Sequence, residues 1–256
     1  MDSHPPSPVI DVHCHLLDQS FDADRYDVIS RAKAESVVAV IEGAQNISES
    51  RRILAERSEF WLASAGIHPS FAHTEDVPSM LEFIRANARD IVAVGEIGLD
   101  YYSGKTEQER ECMRNAFRSQ AELARELDLP VVVHSRSAGK EVISLLLEWE
   151  VEKAVLHAFD GKASSASEGV RAGYFFSIPP SVSRSRQKRK LINALPLEAI
   201  LLETDSPVLG PTGKERNEPR NVWVSAKIVA EEKQIPVNEV ADITTANATK
   251  LFRVSI

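Results

Sequence analysis

A single eight-stranded parallel β/α barrel is the fold class this sequence predicts, and two observations carry the prediction. Eight short runs rich in Val, Ile, Leu and Ala recur along the chain, near 9–13, 37–41, 61–66, 91–95, 130–134, 153–157, 173–177 and 199–203. Most lack internal polar alternation, as parallel strands covered on both faces do. Between them lie segments long enough for helices, so the repeating unit is strand, helix, strand. Eight such units in 256 residues fit one closed (β/α)8 barrel, with an open doubly wound sheet as the alternative.

The expected plan is a flexible Pro-rich tail over 1–8 and one domain over 9–256. In the first strand, regular alternation puts Asp11, His13 and His15 on one face and Val12 with Cys14 on the other. Thr106 and Glu109 form a potential capping box for the clearest helix, whose apolar face reads Met113, Ala116, Phe117, Ala121, Ala124 and Leu127. A second amphipathic segment runs from about 138 to 148, with Val142, Ile143, Leu146 and Leu147 inward. The last helices are expected near 220–233 and 238–251.

Composition narrows the function classes. The chain is 43% hydrophobic and 27% charged, which fits a globular protein. Its formal net charge of -8 does not attract polyanions globally, so nucleic-acid binding needs a local basic patch or bound cations. Cys14 and Cys112 are the two cysteines, too few for a disulfide framework, and Cys14 reads as a small buried apolar residue. No signal peptide and no membrane-spanning run is visible, so the expectation is a soluble intracellular protein, monomeric by default.

Barrel enzymes carry their sites at the carboxyl ends of the strands. Five of the seven histidines, His13, His15, His68, His134 and His157, fall at such ends, and Glu96 and Asp205 end two more runs. Imidazole nitrogen is a good ligand for zinc and its neighbours. A pair such as His13 and His15 says little by itself; the gathering of ligand-type residues at one barrel mouth says more. Glu96 lies in an apolar context where an unpaired carboxylate is costly to bury, a cost that a cation or a salt bridge removes. Asp205 reads as a ligand or as a helix cap, with Ser206 equally available as the cap.

Taken together, Asp11–His15, Gly95–Asp100, Pro130–Arg136, His157–Phe159 and Glu203–Pro207 resemble the TatD family of metal-dependent deoxyribonucleases, and Lys214, Asn217 and Pro219 fit the family's stretch after the final aspartate. Departures are Val12, Leu17, Ser137 and the run Phe159-Asp160-Gly161; none removes a ligand. The resemblance implies two divalent ions. His13, His15 and Asp205 would hold one, His134 and His157 the other, and Glu96 would bridge them. Two cations about 3.5 to 4 Å apart activate water and steady the attacking and leaving oxygens of a phosphoryl displacement. Asp205 is then the candidate general base, Glu96 a catalytic bridge, and Asp11 an acceptor that orients an imidazole.

His68 and Arg136, at neighbouring strand ends, are candidate phosphate contacts, arginine because its planar donors match phosphate oxygens. Tyr101 and Tyr102 read either as base-stacking or as packing residues. The basic run 184–190 reads either as a DNA contact or as a solvated face. DNA is the expected substrate, cut from an end or internally. An amidohydrolase acting on a C–N or ester bond, and a barrel that only binds, are the competing classes. The ligand set suits zinc or manganese, while magnesium prefers oxygen donors.

Overall fold

The computed structural model describes residues 7–255; of the tail expected over 1–8, positions 1–6 lie outside the described residues. Eight parallel strands pair in sequence order: β1 (Val9–Cys14), β2 (Val37–Glu42), β3 (Trp61–Ala65), β4 (Ala93–Gly98), β5 (Val131–His134), β6 (Ala154–Leu156), β7 (Phe175–Ile178) and β8 (Ile200–Leu202). The ring is drawn together past the last strand, where Asp205 N donates to His13 O and His15 N donates to Ser206 O, both at 2.8 Å. The barrel is thus the observed architecture, and the open-sheet alternative falls.

Around it lie α1 (Arg25–Ala34), α2 (Ile47–Glu56), α3 (Val77–Ala86), α4 (Glu107–Glu126), α5 (Gly139–Glu148), α6 (Ala163–Arg171), α7 (Arg186–Ala194), α8 (Val222–Lys233) and α9 (Val237–Phe252). The capping box forms at α4: Glu109 N donates to Thr106 Oγ1, and the Glu109 carboxylate accepts from the Thr106 backbone N. On α5, Val142, Ile143 and Leu146 are buried, but Leu147 is 43% exposed, against expectation. Leu146 and Leu147 are adjacent, about 100° apart on a helix, and only one of them reaches the core.

Buried on both faces, the strands feed two apolar layers. Outward residues such as Val94, Val131, Val133 and Leu156 pack with Met80, Ile84, Phe117 and Ile143 of the helices. Inward, Ile10, Val12, Ala39, Ile41, Ala93, Val132, Val155 and Leu201 fill the lower barrel together with Leu251 and Phe252 of α9. That helix closes the amino-terminal mouth: Asn247 Nδ2 donates to Leu197 O and Ile200 O, and Thr245 Oγ1 to Pro8 O. The opposite mouth is left for polar groups.

Two local expectations fail, with one cause. Val12 joins the inner layer and Cys14 the outer one, so they do not share a face; the pairing of β1 with β2 shifts register between Asp11 and Cys14. A register irregularity adds a residue and re-aims the side chains beyond it. The fourth strand runs over Ala93–Gly98, two to three residues later than the apolar run suggests, with another shift between Val94 and Ile97. Glu96 therefore sits within the strand, not beyond its end.

Candidate metal centre

The carboxyl mouth gathers His13, His15, His68, Glu96, His134, His157 and Asp205, every ligand-type residue expected there. Glu96 is central and its two oxygens face different partners. Oε2 lies 3.4 Å from His13 Nε2 and 3.6 Å from His15 Nε2; Oε1 lies 2.7 Å from His134 Nδ1, 3.0 Å from His157 Nε2 and 3.5 Å from His68 Nε2. Asp205 Oδ1 closes the first side at 3.6 Å from His13 Nε2 and 3.3 Å from His15 Nε2. Three triads, His13–Glu96–His157, His13–His15–Asp205 and His68–Glu96–His134, each bring their ligand atoms within 4.8 Å of one another.

Local backbone makes this crowding possible. Gly43 follows β2 with no side chain, and a Cβ there would stand 2.6 Å from His13 Cε1 and 2.9 Å from His15 Cε1. Gly98 has φ +130°, and a Cβ would meet His134 O at 2.1 Å. Ala158 and Asp205, each at or beside a candidate ligand, hold left-handed φ of 44° and 53°. Non-glycine residues rarely adopt that region unless their surroundings over-determine it, which is common at functional sites.

The orientation of the imidazole rings suits bound cations. His15 Nδ1 lies 2.8 Å from Gly43 O, so Nδ1 carries a proton and Nε2 is the ring nitrogen that faces Glu96 and Asp205. His134 Nε2 lies 3.2 Å from Asp100 Oδ2, leaving Nδ1 for the centre. Among the described residues, buried His13 Nε2 has no hydrogen-bond partner. Such an orphan, aimed at two carboxylates, is the kind of cost that a divalent ion removes. The donor set, imidazole nitrogens and carboxylate oxygens, fits zinc or manganese chemically.

Titration follows the same geometry. Burial opposes ionisation of Glu96, but His68, His157 and His13 outweigh it and hold the carboxyl well below its usual range. Burial likewise opposes charge on His157, and Glu96 with Glu203 overcomes it, pushing that imidazole well up. Burial beside other imidazoles lowers His13.

His68 is different. Its Nδ1 accepts from Ser70 N at 3.1 Å, and burial pushes its pKa down to about 4. The neutral ring then carries its proton on Nε2, which makes it a donor toward the centre and not a ligand. A cavity of about 500 Å³ opens over these groups, walled by Ser135, Arg136, Lys188 and Pro207–Leu209 among others. The Arg136 guanidinium lies 3.8 Å over the Tyr102 ring, and Tyr102 is 58% exposed at the rim. Tyr101 is packed instead, its hydroxyl donating to Glu141 at 2.6 Å.

Other expectations are corrected. Among the described residues Asp11 hydrogen-bonds to no imidazole: its Oδ1 accepts from Thr204 N at 2.8 Å and from the His13 backbone N at 3.3 Å, and its Oδ2 from Thr204 Oγ1 at 2.5 Å. It ties β1 to the end of β8. Asp205 caps no helix, because the chain turns irregularly until Pro219 and the next α-helix begins at Val222. The basic run divides: Lys188 Nζ donates to Ala158 O at 2.7 Å on the cavity wall, Arg189 pairs with Glu232 at 2.7 Å, and Arg184 and Arg186 are exposed.

Three carboxylates escape the sequence reading as functional groups. Glu42, which burial pushes up to about 7, accepts from Leu16 N, Leu17 N and Trp61 Nε1 and so holds the chain just after His15. Asp100 faces His134, and Glu203 faces His157 Nδ1 at 3.4 Å. Asp100 and Glu203 stand inside the motifs Gly95–Asp100 and Glu203–Pro207; an acid flanking a ligand-rich strand end is the available signal.

Comparison with known proteins gives the family. Residues 10–253 match the model of the family described as TatD related DNase. Human deoxyribonuclease TATDN3 is 47% identical, over 95% of this chain and 94% of its own length. The Bacillus subtilis metal-dependent hydrolase YabD is 34% identical, over 96% and 100%. Among solved structures, the TatD homologue YJJV of Escherichia coli superposes with a TM-score of 0.89 at 28% identity, covering 96% of this chain and 98% of its own.

Proposed function

From the premise that the chain belongs to the TatD family of DNases, we propose that it is a metal-dependent deoxyribonuclease that hydrolyses phosphodiester bonds at the carboxyl mouth of the barrel. One observation carries the reading: Glu96 divides its oxygens between His13 and His15 on one side and His134 and His157 on the other. That is the arrangement a bridging carboxylate needs between two cations. His13, His15 and Asp205 would hold one ion, His134 and His157 the second. When bound, such ions lower the pKa of water and offset the charge of the phosphodiester.

The chain's own residues supply the rest. Burial opposes ionisation of Asp205, but His15, His157 and His13 keep the carboxyl below its usual range. It is therefore ionised at neutral pH and able to take a proton from the attacking water. His68 Nε2–H and Arg136, both on the cavity wall, donate to non-bridging phosphate oxygens. The cavity admits a nucleotide-sized group, with the rest of the strand outside.

Digestion of end-labelled single-stranded and duplex DNA tests the reading. Chelation stops cleavage and an added divalent metal restores it; cleavage that resists chelation contradicts it. Label released as mononucleotides marks cutting from an end, and a ladder of fragments marks internal cutting.

A further inference from the structure

His157 is the most enclosed of the imidazoles on its side of the centre. Its Nε2 faces Glu96, and its Nδ1 is buried with no hydrogen-bond partner among the described residues. The oxygen beside Nδ1 is Glu203 Oε2, at 3.4 Å. Glu203 is itself fully buried and tightly held: Ser177 Oγ donates to Oε2 at 2.6 Å, and Ala158 N donates to Oε1 at 2.8 Å. It comes from the end of β8, across the barrel wall from β6, and it grips the left-handed residue directly after His157.

We propose that Glu203 is a positioning residue for His157: it keeps the ring proton on Nδ1 and thereby turns the Nε2 lone pair toward the centre. The inference rests on the metal-dependent reading of the site. An imidazole can ligate through Nε2 only if that atom is unprotonated, and the group at the other nitrogen decides which tautomer forms. A carboxylate oxygen can only accept, so it selects the Nδ1–H form. Ser177 and Ala158 fix Glu203 and leave Oε2 turned toward the ring.

The amide variant separates this role from a merely structural one. In Glu203→Gln the remaining oxygen still accepts from Ala158 N, and the NH2 group occupies the Oε2 position, donating both to Ser177 Oγ and toward His157 Nδ1. Nδ1 must then accept, the proton moves to Nε2, and the ligand is lost although shape is kept. Exchange of an orienting aspartate for asparagine has this consequence in the serine protease triad.

Zinc affinity measured by competition with a chromogenic chelator, alongside nitrogen-15 NMR of the His157 ring in the zinc-loaded protein, tests the proposal without reference to turnover. Glu203→Gln should weaken the binding of one of the two ions by about 10- to 100-fold and leave the other unchanged. Its thermal unfolding should stay near that of the parent, and the Nδ1–H signature of the parent should be gone. Glu203→Ala loses the Ala158 contact as well and is the less stable variant, yet its ring is free to adopt either tautomer, so its zinc affinity falls no further than that of Glu203→Gln. Equal zinc affinity and an unchanged ring signature in Glu203→Gln overturn this proposal and leave the nuclease reading intact. Failure of the parent chain to bind zinc, manganese or magnesium overturns both.

Discussion

The two ends of the same eight strands make opposite environments. Toward the amino end, Ile10, Val12, Ala39, Val132, Val155 and Leu201 meet Leu251 and Phe252 in an apolar plug. At the carboxyl end, within a few residues along the same strands, the inward groups are His13, Glu96, His134, His157 and Asp205. One end buries hydrocarbon and stabilises the fold; the other buries imidazoles and carboxylates, the donor types that suit divalent cations. Stability and chemistry are thus separated along the barrel axis, as expected of this architecture.

Paired substitutions at the two ends sharpen that contrast. Glu96→Ala or Asp205→Ala should lower kcat/KM for DNA hydrolysis by roughly a thousandfold or more, about 4 kcal/mol of transition-state stabilisation, while far-ultraviolet circular dichroism stays that of the parent. Leu201→Ala should do the reverse. It costs about 2–5 kcal/mol of unfolding free energy in a denaturant titration, by lost burial plus a cavity, with the turnover of the folded fraction unchanged. If the mouth variants unfold or the plug variant loses turnover, the separation fails.

A smaller effect concerns the basic run 184–190. Arg184 and Arg186 are exposed, unlike Lys188 and Arg189, which are engaged with Ala158 O and with Glu232. Neutralising both arginines should reduce the slope of log affinity for single-stranded DNA against log salt by about 0.7 for each one that meets a phosphate. An unchanged slope makes the run a solvated face.

Much of this is legible in the sequence because the two signals are short-range. A parallel strand buried on both faces is a short apolar run, and a ligand at its end is the next polar residue of the right chemistry; His134 after Val131–Val133 and His157 after Ala154–Leu156 show both at once. What stays hidden depends on pairing across the barrel. The parity change between Val12 and Cys14 arises from register against β2, which β1 alone does not encode. The later placement of β4 likewise comes from its pairing with β5, and the glycines at 95 and 98 blur its apolar pattern. Asp100 and Glu203 acquire their meaning from imidazoles on other strands, Asp100 from one 34 residues away. Asp11, which the family resemblance assigns to orienting an imidazole, instead serves Thr204 at a separation of 193 residues.

Anomalous diffraction from crystals soaked in manganese or zinc tests the central claim most directly. The account predicts two peaks about 3.5 to 4 Å apart, one against His13, His15 and Asp205, the other against His134 and His157, with Glu96 touching both. Peaks elsewhere on the surface, or none at the carboxyl mouth at saturating metal, would contradict it.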